Sequence, residues 1–300
     1  MKRGGKTTHR LGAVLVAGTI ALAGPASCSK PSPPGEPILR ATKAFEETFG
    51  VLPPLPLPTT SYAAVAYFPS TTEPRKFRPV PIFSVEQGKE EMLVVRTVIR
   101  GIGGEHGSVD TRLMGIARPF PADADLAAFS YEGDAAKVTI GGSFRADTLS
   151  GAQGKKAAEA LALTISQFGK ARKVDVTDAS ETVRFRASAG DAEVVDIGSP
   201  KALSLLAVRE VAGKPPGTLS VLFDRPVFIE DAAFFLPGKT APLPGKVYST
   251  GFGMSLEFHP EAETSFDPGI VYRVRLAVRD GKGRKASMKE GWKPKEVARH

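Results

Sequence analysis

The segment Ser150–Lys156, SGAQGKK, contains the residue types of a phosphate-binding loop. It lies between a predicted strand and a predicted alanine-rich helix, an order that is typical of nucleotide-binding proteins. Such a loop needs two glycines separated by four residues, then a lysine and a hydroxyl residue that ligates magnesium. Gly151 and Gly154 are too close together by two residues for this spacing, and Lys156 occupies the position of the hydroxyl residue. We therefore predict that Ser150 and Gly151 begin a helix and that the segment is not a nucleotide site.

The other residues that could do chemistry form no catalytic or metal-binding pattern. GIGGEHG (101–107) loosely resembles a dinucleotide-binding fingerprint, but it follows a predicted helix instead of a strand. His106 and His259 have neither cysteine partners nor the helical spacing of a zinc site. Asp123 and Asp125 could act as paired carboxylates, yet their position before a hairpin favours turn capping. We predict that the protein is not an enzyme and binds no cofactor or metal.

The C-terminal segment is the most basic part of the chain. The formal net charge is +8, and residues 279–300 hold eight Lys and Arg against three acidic residues. The folded middle is then close to neutral, so we expect no basic patch on it and no nucleic-acid partner. The segment could contact anionic lipid or a cell-wall polymer, or it could be a solvated, disordered terminus. The candidate contact residues are Lys282, Arg284, Lys285, Lys289, Lys293 and Lys295.

The N-terminus has the pattern of a bacterial export signal, over residues 1–27. Basic residues precede the apolar run Leu11–Gly24, which is shorter than the ~20 residues that span a bilayer. Cys28, the single cysteine of the chain, follows directly, and PASC (25–28) resembles a lipobox. This resemblance implies lipid attachment at Cys28 and a membrane anchor. The alternative is cleavage after Ala26, which would leave a periplasmic protein with a free thiol.

Residues 28–60 are predicted to be a linker. The segment Ser29–Pro37 is rich in proline, which favours an extended spacer. Ile38–Gly50 could form a short amphipathic helix that ends at its glycine, and a second proline run follows it.

Residues 61–190 mix helices and strands without a regular strand–helix–strand rhythm, which predicts an α+β domain. One helix is predicted over Ser84–Gly101, with a capping box formed by Ser84 and Gln87 and a buried stripe of Met92, Val95 and Ile99. A second helix is predicted from about Gln153 to Phe168, with Ala157, Leu161, Ile165 and Phe168 on its buried face. The predicted strands are Ser61–Phe68, two within Leu126–Gly142, and a closing hairpin over Arg172–Ala187.

This order of elements, with three local patterns, resembles the GerMN domain of bacterial sporulation and germination proteins. The patterns are YFP (67–69), FPADADL (120–126) and ISQFGKARKV (165–174). The resemblance extends over about residues 61–187. It implies a non-enzymatic role in scaffolding or binding within sporulation or germination complexes.

Residues 199–283 are predicted to be an all-β sandwich, because short strands alternate with Pro/Gly turns and no helical pattern interrupts them. The segment is similar to the bacterial Ig-like domains of surface proteins, which act mainly as spacers and binding platforms. The residues that carry this similarity are Phe223, Asp224, Pro226, Pro268, Gly269, Tyr272, Val274, Asp280 and Gly283. Residues 284–300 are predicted to be a basic tail.

Together these features predict an exported, lipid-anchored protein of the bacterial cell envelope, with a GerMN-like α+β domain followed by an Ig-like sandwich. Its expected partners are the cell wall or envelope proteins, and the membrane through the lipid anchor. Two alternatives stay open: a hydrolase that modifies peptidoglycan or another glycan, and a periplasmic ligand-binding protein. Release of muropeptides would favour the first alternative, and ligand-dependent thermal stabilisation the second.

Overall fold

The computed structural model describes residues 38–54, 59–85, 88–102, 111–142, 144, 149–179 and 183–298. The predicted export signal, Cys28, the first part of the linker and His106 lie outside these residues. The described chain is rich in β-structure and has few helices.

Among its described residues, the first half has two four-stranded sheets and three α-helices. The order of strands is β1-β2-β3-β8 in one sheet and β4-β5-β6-β7 in the other. The elements are β1 Leu39–Ala41, α1 Lys43–Phe49, β2 Ser61–Pro69, β3 Lys76–Ser84, α2 Glu90–Arg100, β4 Asp125–Glu132, β5 Ala135–Gly141, α3 Gly151–Ser166, β6 Lys173–Thr177, β7 Val183–Ser188 and β8 Glu193–Val194.

Helix α3 begins where the glycine-rich segment predicts. The Ser150 hydroxyl accepts a hydrogen bond from the Gln153 backbone N–H, and the Gln153 side chain accepts one from the Ser150 N–H. This reciprocal capping box satisfies two of the backbone donors that every helix leaves unpaired at its first turn. Ala157, Leu161 and Ile165 are buried, as their spacing predicts.

Helix α2 differs from its prediction at its beginning. Ser84 lies in β3, where it pairs with Tyr62 of β2, and the helix begins at Glu90. The predicted capping box was therefore wrong, because strand pairing continues through the residue that would have capped the helix. The helix ends at Gly101 as predicted. Val95 and Ile99 are buried, but Met92 is exposed.

Thr164 of α3 and Gln167 at the end of this helix complete the hydrogen bonding of β2. Strand β3 pairs with β2 along one edge from Tyr62 to Pro69, but β1 covers only the first residues of the other edge, which has no strand partner further along. The Gln167 side chain accepts a hydrogen bond from the Val65 N–H and donates one to the Val65 carbonyl. The Thr164 hydroxyl accepts from the Tyr67 N–H. These contacts are equivalent to those of a neighbouring strand, and they explain the glutamine of the ISQFGKARKV pattern.

The second half consists of strands: β9 Ala202–Arg209, β10 Thr218–Phe223, β11 Phe228–Phe235, β12 Gly245–Thr250, β13 Ser255–Pro260, β14 Tyr272–Arg279, β15 Lys285–Trp292 and β16 Lys295–Ala298. They form a five-stranded sheet in the order β12-β13-β10-β9-β16 and a three-stranded sheet in the order β11-β14-β15. The two sheets share one hydrophobic core, in which the Phe234 and Phe258 rings stack 4.5 Å apart. The exact domain bounds stay predictions.

The prediction of a tail over residues 284–300 was wrong for the described part of that segment. Lys285–Trp292 forms β15, which pairs antiparallel with β14, and Lys295–Ala298 forms β16, which pairs parallel with β9. In β15, Ala286, Met288 and Trp292 pack against the core, and lysines alternate with them. This alternation is typical of a half-buried strand. The prediction of a disordered terminus was based on the basic residues of the segment and overlooked the apolar residues between them.

A buried ionic cluster lies at the seam between the two halves, near Gly198. Arg225 is 1% exposed, and its guanidinium donates to both Asp224 oxygens at 3.1 and 2.9 Å. It also donates to Asp280 at 3.4 Å and to the carbonyls of Ile197 and Gly198 at 2.7 and 2.9 Å. These five contacts equal the five N–H donors of a guanidinium, so the buried charge is fully satisfied.

The same seam ties the turn after β14 to the beginning of the first half. Arg284 donates to Asp280 at 2.6 Å and to the Thr48 carbonyl at 2.8 Å. The Lys282 ammonium donates to the Glu47 carbonyl at 2.9 Å. The backbones of Gly50 and Gly281 are in contact. A side chain would not fit here, since a Cβ at Gly281 would lie 2.0 Å from the Val51 carbonyl oxygen.

Replacing Arg225 is expected to destabilise the whole fold. The variant Arg225→Met nearly keeps the volume but removes the central cation, so that Asp224 retains only Arg78 at 3.6 Å and Asp280 only Arg284 at 2.6 Å. Breaking this buried cluster should lower the free energy of unfolding by ~3–5 kcal/mol. Urea denaturation measures this loss. The control is Arg186→Met, which removes a more exposed ion pair with Asp175 and should cost at most ~1 kcal/mol. Equal losses in the two variants would contradict the central role of Arg225.

Of the two glycines in α3, Gly154 is expected to be the one whose replacement destabilises the fold. A Cβ there would lie 2.1 Å from the Phe185 ring, whereas a Cβ at Gly151 would meet nothing within 4 Å. Gly154→Ala should therefore lower the free energy of unfolding by ~1–3 kcal/mol through overpacking. Gly151→Ala should leave it unchanged or raise it by up to ~1 kcal/mol, since alanine favours the helix. The two values from urea denaturation should have this order; the reverse order would contradict the contact.

Candidate functional site

The outer face of the three-stranded sheet carries a row of arginines. Along β14, Val274, Leu276 and Val278 are buried in the core, so the alternate positions point away from it. Those positions include Arg273, Arg275 and Arg279. A single strand therefore presents three guanidinium groups on one side of the sheet.

Strand β15 adds lysines directly opposite two of these arginines. Lys289 pairs in register with Arg275, and Lys285 pairs in register with Arg279. Like charges directly opposite each other on one face of a sheet destabilise it. The five residues Arg273, Arg275, Arg279, Lys285 and Lys289 are called the basic face below. The two like-charge pairs lie on the same side of the sheet and are separated by the pair Ala277 and Ser287.

Two phenylalanines of β11 hold the outer arginines in place. The Arg273 guanidinium lies 4.2 Å from the centre of the Phe235 ring, and that of Arg279 lies 4.0 Å from the Phe228 ring. Arginine stacks on aromatic rings through both cation–π attraction and its planar shape. This stacking restrains both side chains, and the edge of the Arg273 guanidinium donates to the Lys239 carbonyl at 3.1 Å.

The carboxylates on β11 balance only part of this charge. Asp231 accepts a hydrogen bond from Arg275 Nε at 3.1 Å. Glu230 lies 3.5 Å from Arg279 Nε and 3.2 Å from Lys285 Nζ. Five cations against two carboxylates leave the face positive. Because these pairs are partly exposed, salt screens them and they contribute little to stability.

The structure places the predicted contact residues in three different environments. Lys285 and Lys289 lie on the basic face. Lys282 and Arg284 lie at the seam, where their side chains donate to backbone carbonyls of the first half. Lys293 is exposed after β15, and Lys295 is exposed on β16 at the edge of the other sheet. The prediction for these six residues as one contact surface was therefore too broad, because the strands separate them.

The three arginines of the basic face were absent from the predicted contact residues. The signal for them is the alternation YRVRLAVR in Tyr272–Arg279, which places every arginine on one face of a strand. The expectation that the folded part carries no basic patch was also wrong. Net charge along the chain does not reveal a patch that is assembled by pairing two strands.

Three of the remaining candidate residues have partners within the fold: Asp125, Lys156 and His259. The Arg100 guanidinium donates to both oxygens of Asp125, at 2.8 and 2.6 Å. This hydrogen bonding lowers the pKa of Asp125, and the same carboxylate accepts the Leu126 backbone N–H. Lys156 of the glycine-rich segment donates to the Pro74 carbonyl.

His259 belongs to a polar chain beside β10. Its Nδ1 lies 3.5 Å from the Thr218 hydroxyl and its Nε2 lies 3.4 Å from Glu257. Thr218 is buried and donates to Glu210. Among the described residues, no group of three or more His, Cys, Asp or Glu side chains could hold a metal ion. Within the same part of the chain, none of the helices combines the length and the apolar character needed to cross a membrane.

Comparison with known proteins gives low similarities. No family model and no curated protein matches the chain. A candidate lipoprotein from Clostridium perfringens aligns at 16% identity and a TM-score of 0.26, over 44% of this chain and 89% of that one. The tandem GerMN domains of the sporulation protein GerM from Bacillus subtilis align at 12% identity and a TM-score of 0.35, over 55% of this chain and 59% of that one. At these values neither structure assigns a family or a function to the chain.

The like-charge pairs of the basic face should limit stability. Lys289→Glu replaces the repulsion with Arg275 by an attraction, so the free energy of unfolding should rise by ~0.2–1 kcal/mol. Urea denaturation at low ionic strength measures the gain, and added salt should reduce it. Lys214→Glu in the exposed turn between β9 and β10 makes the same charge change and should give no such gain. A loss of stability in Lys289→Glu alone would contradict the repulsion.

Proposed function

We propose that this protein is a non-enzymatic component of the bacterial cell envelope, and that its basic face binds an anionic component of the cell wall. The observation that carries this proposal is the strand register that places Lys289 opposite Arg275 and Lys285 opposite Arg279 on a face with five cations and two carboxylates. Because the cations of this face outnumber its two carboxylates, an anion that approaches it is attracted by the remaining positive charge.

The sequence supports an envelope location. The export signal and the lipobox-like segment before Cys28 favour attachment to the membrane, and the proline-rich linker would separate the folded part from the bilayer. If Cys28 is not lipidated, the protein is periplasmic. The GerMN resemblance of residues 61–187 supports a role in scaffolding or binding, of the kind found in sporulation and germination complexes.

The strand order supports an Ig-like assignment for the second half. Seven strands, β9 to β15, can be labelled A to G in chain order. The sheets then read D-E-B-A and C-F-G, which is the arrangement of a constant-type immunoglobulin domain. Strand β16 extends the first sheet beyond A. A module of this kind suits a platform that presents one sheet face to a partner, although the fold by itself does not determine the function.

The expected affinity per contact is modest. A cation close to an anionic surface contributes about 1 kcal/mol, and this contribution falls off with salt. A polymer that contacts all five cations at once can still bind tightly, because each further contact forms within the same complex and adds to the overall affinity. Binding should therefore be multivalent and strongly dependent on ionic strength.

The proposal is tested by co-sedimentation of residues 29–300 with purified bacterial sacculi. The variant Lys285→Gln/Lys289→Gln removes two charges from the basic face and should lose most of the sedimented protein. The matched control is Lys293→Gln/Lys295→Gln, which removes two neighbouring charges that lie off the face and should sediment like the unmodified protein.

Three results would contradict the proposal: no sedimentation of the unmodified protein, equal losses in both variants, or muropeptides in the supernatant. The last result would show hydrolysis and would support the glycan-modifying alternative. Thermal unfolding of each variant, followed by circular dichroism, verifies that the lost charges and not a lost fold explain the result.

A further inference from the structure

The short helix α1 of the first half is completed by residues of the second half. The last carbonyls of any helix have no partner within the helix itself. In α1, the Glu47 carbonyl accepts a hydrogen bond from the Lys282 ammonium at 2.9 Å. The Thr48 carbonyl accepts one from the Arg284 guanidinium at 2.8 Å. Since cations also suit the negative end of a helix, the turn of residues 281–284 acts as the C-terminal cap of α1.

The same helix contributes to the core of the first half. Phe45 is 0% exposed and Phe49 is 2% exposed, and the centres of their rings lie 5.1 Å apart. A helix of seven residues is not stable by itself in water. Its folding therefore depends on packing against one half of the chain and on capping by the other half.

The chain that follows α1 runs along the seam. Gly50 forms a single parallel β-bridge with Gly281 of the second half. This approach requires glycine, because a Cβ at Gly281 would lie 2.0 Å from the Val51 carbonyl oxygen. Residues 42–54, which contain α1 and this crossing, are called the strap below. One part of the strap is buried in the first half, and the other part lies against the second half.

Two further contacts join this region to the second half. Pro53 packs on Gly253, where a Cβ would lie 2.6 Å from the proline ring. Phe45 lies edge-on against Phe83 of β3, with ring centres 5.7 Å apart. Phe83 in turn stacks on Phe252 of the second half at 4.5 Å. The φ of Phe252 is 60°, a strained value for phenylalanine that persists only where the surrounding packing enforces it.

We infer that the strap couples the two halves into one cooperative unit. Neither half can unfold without removing the packing or the cap of α1. The strap follows β1 at the N-terminal end of the described chain, so a pull on that end is transmitted to the turn of residues 281–284, which precedes β15. The basic face is then held in one orientation relative to the N-terminal end, whatever ligand it binds. The described part of the predicted linker is thus a structural element of both halves.

Two natural probes test the coupling, one in each half. Trp292 is the single tryptophan of the chain, and its fluorescence reports on the sandwich. The α-helices of the described residues all lie in the first half, so circular dichroism at 222 nm reports mainly on that half. In urea, residues 29–300 should show one transition with the same midpoint for both probes. Separate transitions in the unmodified protein would overturn the coupling.

The variant Gly281→Ala tests the strap directly. Its Cβ has no room beside the Val51 carbonyl, so the strap should be displaced from the turn and the two midpoints should separate by about 0.5 M urea or more. The matched control is Gly217→Ala, in the same half, where a Cβ would meet nothing within 4 Å. Its two transitions should still coincide. Coincident transitions in Gly281→Ala would overturn the role of the strap.

A milder variant tests the cap even if Gly281→Ala does not fold. Lys282→Met removes the ammonium that caps α1 and keeps the backbone of the turn. Hydrogen exchange of the amides of residues 43–52, measured by mass spectrometry, should become about threefold faster or more. The control Lys201→Met replaces an exposed lysine of the same half and should leave this exchange unchanged. Unchanged exchange in Lys282→Met would overturn the capping of α1 by the second half.

Discussion

The structure depends on one buried cation. Arg225 is almost completely removed from water, and a charge in that position is tolerated only when its hydrogen-bonding groups are satisfied. Its five donors reach two carboxylates and two backbone carbonyls that come from separate parts of the chain. Asp224 follows β10, Asp280 follows β14, and the carbonyls of Ile197 and Gly198 belong to the segment that joins the two halves. These segments must therefore meet at one place for the charge to be accommodated.

The same cluster determines the geometry of the basic face. One Asp280 oxygen accepts backbone N–H groups from Lys282 and Arg284, so the carboxylate that balances Arg225 also shapes the turn between β14 and β15. Gly283 lies in this turn with a φ of 79°, a conformation that glycine adopts without strain. The turn sets the pairing register, because a slip of one residue would move every side chain to the opposite face. With this register Lys289 lies opposite Arg275 and Lys285 lies opposite Arg279. The turn of residues 281–284 thus connects the buried ionic cluster to the basic face.

In the three-stranded sheet, packing on the core is opposed by like charges that lie opposite each other. Strand β15 is held in position by Trp292, Met288 and Ala286, which pack on the core. On its other face, Lys285 and Lys289 repel the arginines of β14. The packing of the inner face is strong enough to retain the strand in spite of this repulsion. The aromatic contacts of Phe228 and Phe235 offset part of it at the two ends of the row. Asp231 and Glu230 offset a further part of it, through their ion pairs with Arg275, Arg279 and Lys285.

Local patterns were sufficient where the determinant lies within a few residues. Neighbouring residues were enough to predict the capping box of Ser150 and Gln153, the buried stripe of α3, the glycine that ends α2 and the strands of the second half up to β14. Prediction failed where a distant partner decides the outcome. Pairing with Tyr62 keeps Ser84 in a strand, and the core beside β14 orders a segment whose charge favours disorder. The resemblance to Ig-like domains identified Asp224 and Asp280, but not the buried arginine that both of them bind.

The sequence by itself determined the kinds of elements, the composition of the two halves and the positive charge near the C-terminus, because propensity and alternation act over short distances. Only the tertiary structure decided which cations act together. Six basic residues that are close in sequence divide among the seam, the basic face and the opposite sheet, and three arginines from the preceding strand join two of the lysines. The physical reason is that strand pairing brings together residues that are distant in sequence and separates neighbours onto opposite faces.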